Sequence, residues 1–178
     1  MLIIFAFFFN QERIEKNKEK IANNYNTASI NFLSGNKINV KNKMINVIES
    51  KDKTYSPLAL YFLIDNNIIE SKEEINQYFD ILINQTQLEK EIKNLIIYKK
   101  ALINFEFVNE KDLIEILNPI INSESIWKPH ALLLLGDYFL SKDEKNKAQE
   151  SFNRILIIKN GDENILFQAQ TRLRNINE

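Results

Sequence analysis

Apolar residues recur along the chain at spacings of three and four, the period of one helix face, and nowhere alternate strictly as a half-buried strand would. The pattern predicts amphipathic helices over 11–33, 37–49, 57–67, 72–84, 88–105, 110–121, 128–140, 143–159 and 163–176, joined by short polar connections. Ser71-Lys-Glu-Glu74 and Ser141-Lys-Asp-Glu144 both have the S-x-x-E spacing of a capping box, in which serine and glutamate satisfy reciprocal backbone N–H groups. Pro57 and Pro129 suit first helical turns, where the missing N–H has no helical partner. Gly35 and Gly161 follow periodic segments, as left-handed C-terminal caps do, and Pro119 is expected to kink or end its helix near Asn118.

Helices of this length with short connections suggest antiparallel pairs, and the sequence repeats accordingly. Ser56-Pro-Leu-Ala-Leu-Tyr-Phe-Leu63 matches Lys128-Pro-His-Ala-Leu-Leu-Leu-Leu135 at an offset of 72, which makes Ala59 and Ala131 equivalent. Glu91-Ile-Lys-Asn-Leu-Ile-Ile-Tyr98 lies halfway, so the unit is a helical hairpin of about 36 residues. Such a hairpin cannot bury its apolar face alone and must stack on its neighbours. The expected fold is all-α: about four hairpins in a right-handed stack, closed by 163–176 as a capping helix with Ala169 and Leu173 inward and Arg172 and Arg174 outward.

Gly136 is one of three glycines and falls inside a predicted helix, where it costs roughly 1 kcal/mol relative to alanine. With Phe139, Ala148 and Phe152 it stands at offsets 0, 3, 12 and 16, a spacing that resembles the tetratricopeptide repeat. In that reading Gly136 and Ala148 are small where two helices press together, and the two phenylalanines fill the space beside them. The hairpin 57–84 keeps Ala59, Ile75 and Phe79 but has no glycine, and 91–121 keeps only apolar spacing, so a generic helical bundle is the alternative.

The segment Met1-Leu-Ile-Ile-Phe-Ala-Phe-Phe-Phe9 is purely apolar but far short of the roughly 20 residues that span a bilayer. It lacks the basic flank and small-residue cleavage site of a signal peptide, and reads as the remnant of an N-terminal membrane anchor, with 10–178 as the helical domain. The 23 basic and 24 acidic residues are spread along the whole length, so no footprint for nucleic acid appears. There is no cysteine, which excludes disulfides, thiolate metal sites and cysteine nucleophiles.

A narrower resemblance follows from order: the partial apolar anchor, a charged helix, the turn Leu33-Ser-Gly-Asn36, the Ser56-Pro-Leu-Ala-Leu segment, and Trp127-Lys-Pro-His-Ala leading into Gly136. This layout resembles the YfgM-like proteins, ancillary translocon subunits of the Gram-negative inner membrane whose tetratricopeptide-like domain is shared with a cell-division coordinator. The resemblance implies a single-pass inner-membrane protein with its helical domain in the periplasm, working with the Sec channel, periplasmic chaperones or secretory clients. The incomplete anchor departs from that pattern.

Catalytic chemistry has little to build on. His130 is the only histidine, the glycines are isolated, and the acidic pairs Glu73-Glu74 and Asp143-Glu144 sit in predicted first turns, where they meet the helix dipole. No catalytic residue, metal, cofactor, nucleic acid or small-molecule substrate is expected. Trp127, at a loop-to-helix junction, either plugs the seam between hairpins or sits on an exposed rim. Two functions fit: a membrane-tethered interaction module, or a soluble cytoplasmic scaffold or division-coordinator-like adaptor with the same groove.

Overall fold

The computed structural model describes residues 2–159 and 161–178, with side chains for 7–159, 161–176 and 178. Among the described residues the chain forms nine α-helices and no strand: α1 (Leu2–Leu33), α2 (Val40–Glu49), α3 (Tyr55–Asp65), α4 (Lys72–Gln85), α5 (Lys90–Asn104), α6 (Glu110–Ile121), α7 (Lys128–Ser141), α8 (Lys145–Leu156) and α9 (Glu163–Asn177). They group into two compact units, Met1–Leu88 and Glu89–Glu178. Nothing interrupts the helix between the apolar N-terminal run and the charged segment after it, since neither contains Gly or Pro. Both therefore belong to α1.

In the first unit α1 packs on α2 and α3, α2 on α3 and α4, and α3 on α4. The core comes from the apolar stripe of each helix: Ile21 and Ala28, Val40, Met44, Val47 and Ile48, Ala59, Leu60 and Leu63, then Ile75, Phe79 and Leu82. Two polar contacts fix the pairing. The buried Ser56 hydroxyl donates to the Val47 carbonyl at 2.8 Å, and Lys41 on α2 pairs with Glu74 on α4 at 2.9 Å.

Helix ends follow local chemistry, with some departures from expectation. The Ser71 hydroxyl accepts from the Glu74 N–H at 3.2 Å and caps α4. Replacing Ser71 by alanine should lower stability by about 1 kcal/mol, as orphaned first-turn donors do, readable as a shift in the urea midpoint at constant slope. Gly35 takes φ +84° beyond α1, as a left-handed cap requires. Ser141 forms no capping box. Instead α7 runs through it, its hydroxyl donates back to the Tyr138 carbonyl at 2.7 Å, and Asp143 (φ 60°) ends the helix in a left-handed turn. There the Glu144 N–H reaches the Phe139 carbonyl and the Asp143 N–H the Leu140 carbonyl, the Schellman pattern, so Asp143 and Glu144 precede α8 and do not form its first turn. Nor does Pro119 end α6, which continues to Ile121 because only one ladder bond is lost near the helix end and Ile120 and Ile121 are both buried. Gly161 stands well past the end of α8, next to Asp162, the N-cap of α9.

The half-buried phenol of Tyr61 on α3 has a hydroxyl with no hydrogen-bond partner, and burial, with Asp65 adding repulsion, pushes it up to about 12. Tyr78 on α4 is likewise held up to about 12, by burial first and then by Glu74. Both phenols ionise near 10 in the unfolded chain but keep their protons longer in the fold. Their contribution is complete below pH 10 and is lost as pH rises towards 12. Melting temperature should fall across that window, and Tyr61→Phe should flatten the fall.

In the second unit α5 packs on α6 and α7, α6 on α7, α7 on α8 and α9, and α8 on α9. With neighbours on every side, α7 buries Ala131 through Gly136 without a break, together with Tyr138 and Phe139. The Tyr138 hydroxyl donates to the Val108 carbonyl at 3.2 Å, and Lys147 on α8 bridges Glu110 and Glu144 at 2.7 and 2.6 Å. Arg172, expected to face out, is part-exposed and pairs with Asp137 of α7 at 2.9 Å, since α9 packs against α7.

Candidate functional site

The seven small or aromatic residues picked from the repeat pattern all lie in the two cores: Ala59 in the first unit, and Ala131, Gly136, Phe139, Ala148, Phe152 and Ala169 in the second. Gly136 is the informative one. A Cβ built on it would strike the Phe152 ring, meeting Cζ at 2.6 Å and Cδ1 at 2.7 Å. Since Phe152 is fully buried its ring cannot swing away, so glycine at 136 is what lets α8 approach α7. Gly136, Phe139, Ala148 and Phe152 pack within the α7–α8 hairpin, Ala131, on α7, and Ala169 are buried in the same unit, and Ala59 lies in the core of the first, so all seven are covered.

One opening lies where α7 begins. A cavity of about 650 Å³ is walled by Ile126, Trp127, Pro129, His130 and Ile158, with Glu91, Glu124 and Asp162 among its polar residues. Its volume falls within the range of ligand pockets. Trp127 and Tyr98 of α5 stack with centroids 5.9 Å apart and planes 21° apart, and His130 lies 5.1 Å from the Trp127 ring. The tryptophan therefore closes the α5–α7 seam and also lines the opening, combining the two roles expected for it. Burial, reinforced by Asp137, raises the Tyr98 phenol above its ordinary value.

The wall is fixed by a part-buried polar network that includes the buried Asn94. Ser125 Oγ donates to Glu91 Oε2 at 2.8 Å and accepts from Asn94 Nδ2 at 3.0 Å and from the Trp127 N–H at 3.1 Å. Glu91 Oε2 also accepts the Ile126 N–H at 3.3 Å, and Lys90 Nζ donates to the Glu124 carbonyl at 2.6 Å. The loop preceding α7 is thereby clamped to the first turn of α5, with Ile126 left 69% exposed at the rim. Neither Ser125 nor Asn94 stands out in the sequence. Their partners lie about 31 to 35 positions away, and only the stacking of hairpins brings them together.

No family model matches this chain, nor does any curated protein or solved structure.

Chemically the site is suited to holding a ligand. His130 Nδ1 is buried without a hydrogen-bond partner, so no carboxylate orients the ring through that atom. Among the described residues no group of three or more His, Asp or Glu is placed to hold a metal ion. Apolar walls with a few fixed polar groups are the composition of a recognition pocket.

At the other end of the chain, the expected anchor falls partly outside the described residues, which exclude Met1 and the side chains of 2–6. Phe7, Phe8 and Phe9 are exposed by 59%, 65% and 65%. No helix among the described residues is long and apolar enough to cross a membrane.

Proposed function

We propose that this protein is a non-enzymatic interaction module of the tetratricopeptide-like solenoid type, tethered to the bacterial inner membrane through its N-terminus with its helical units in the periplasm. There it serves as an ancillary subunit of the Sec translocon and assists the handover of secreted proteins to periplasmic chaperones. The observation that carries the interaction reading is the aromatic-walled cavity at the start of α7, whose rim loop is held by the Ser125–Glu91 hydrogen bond. The solenoid reading draws support from the packing within each unit, where helices meet their next and next-but-one neighbours as stacked hairpins do. It also draws on the Gly136–Phe152 fit. The translocon setting comes from the resemblance in layout, together with the exposed phenylalanines at the start of α1.

The test is a C-terminal reporter active only in the periplasm, fused to the protein as its gene encodes it, with fractionation of the cells. Reporter activity in the membrane fraction is the expected result. A silent reporter with the protein in the cytosol would replace this reading by a soluble cytoplasmic scaffold or division-coordinator-like adaptor.

A further inference from the structure

The first half of α1 stands clear of the unit to which it belongs. Every described side chain from Phe7 to Lys20 is exposed, and burial begins only at Ile21, where α1 meets its neighbours. Two compositions share this free stretch. Phe7, Phe8 and Phe9 follow one another at about 100° steps around the helix, so together they present apolar surface on three sides. From Asn10 to Lys20 the surface is polar nearly all round, with Glu12, Arg13, Glu15, Lys16, Lys18, Glu19 and Lys20 interleaved and only Ile14 apolar.

A protein groove or a second copy would cover one face of the phenylalanine turn, whereas a lipid surface covers all of them together. The polar stretch offers no such match, and burying its charges in hydrocarbon would be costly. It has reasons to stay helical in water. Glu12 pairs with Lys16 at 2.6 Å in the favourable i, i+4 order, and the stretch continues a helix already nucleated by packing at 21–33.

Building on the membrane-tether reading, we infer that α1 is a rigid stalk: its phenylalanine end sits in a lipid surface, and its charged stretch Asn10–Lys20 stands in water. At 1.5 Å per residue, the eleven residues of that stretch hold the packed part of the first unit roughly 16 Å from the lipid.

The absence of cysteine makes the test direct, because each introduced cysteine is the sole label site. Phe8→Cys, Gln11→Cys, Asn17→Cys and Lys20→Cys, each carrying a nitroxide on the otherwise intact chain, are reconstituted with vesicles of phosphatidylcholine and phosphatidylglycerol at 3:1. Accessibility to oxygen should exceed that to a water-soluble nickel chelate at position 8, and the ratio should invert at 17 and 20. Phe9→Cys supplies a second apolar-end label should Phe8→Cys impair insertion. Oxygen-dominated relaxation at 17 and 20 as well would overturn the stalk while leaving the tether standing. Chelate-dominated relaxation at 8 and 9 would remove the tether, and the stalk with it. Label–label coupling between chains along the stalk would identify the occupant as a second copy and overturn the inference.

Discussion

Gly136→Ala should destabilise the protein by roughly 1–3 kcal/mol, although glycine-to-alanine in a helix interior ordinarily stabilises by about 1 kcal/mol. The reversal of sign follows from one contact. The new Cβ would overlap the Phe152 ring, which is fully buried against α7 and cannot retreat without opening the hairpin. Gly136→Leu should be worse, since its larger side chain cannot share the space. Phe152→Leu removes part of the obstructing ring, so the cost of Gly136→Ala in that background should shrink, and a double-mutant cycle by urea denaturation would show positive coupling. Unchanged stability for Gly136→Ala, or strict additivity with Phe152→Leu, would mean that α8 does not depend on the missing side chain.

Glu91→Ala should cost about 1.5–3 kcal/mol, the range for hydrogen bonds to a charged acceptor, and its effects should be local. It removes the acceptor of the part-buried Ser125 hydroxyl and leaves the Ile126 N–H, at the exposed rim, to water. Amide exchange at 124–127 should accelerate well beyond what the global change explains. Trp127 emission should shift to the red as the stack on Tyr98 loosens. A loss of stability without faster exchange in that loop would place the role of Glu91 elsewhere.

These two positions mark how far the sequence can be read. Gly136 is legible because a glycine inside a helical period demands a reason; its repeat spacing points to a small–small approach to Ala148, whereas in the fold the side chain its missing Cβ would meet is Phe152. Helix identity was legible throughout for the same cause: apolar periodicity registers the core face. Helix ends were less so. Ser71 and Ser141 carry the same S-x-x-E pattern, yet only Ser71 is a cap, because Asp143 could adopt a left-handed turn and let α7 continue through Ser141. Pro119 misled similarly, since burial of Ile120 and Ile121 outweighs one missing ladder bond. The polar clamp on the cavity was not legible at all. Glu91, Asn94 and Ser125 are ordinary surface residue types, and their meaning depends on one hairpin lying against the next. Trp127 was singled out as plug or rim, but its stacking on Tyr98 depended on the same packing.

In the proposed function the cavity beside Trp127 is the recognition site of a membrane-tethered module. The most direct measurement is photo-crosslinking in cells from Ile126 at its rim, with exposed Glu115 on α6 as control and Glu91→Ala as the variant that loosens the wall. The account predicts adducts with Sec-channel components, periplasmic chaperones or secretory clients from position 126, absent from position 115 and weakened in the Glu91→Ala background. No adduct from 126, or the same adducts from both positions, would contradict it.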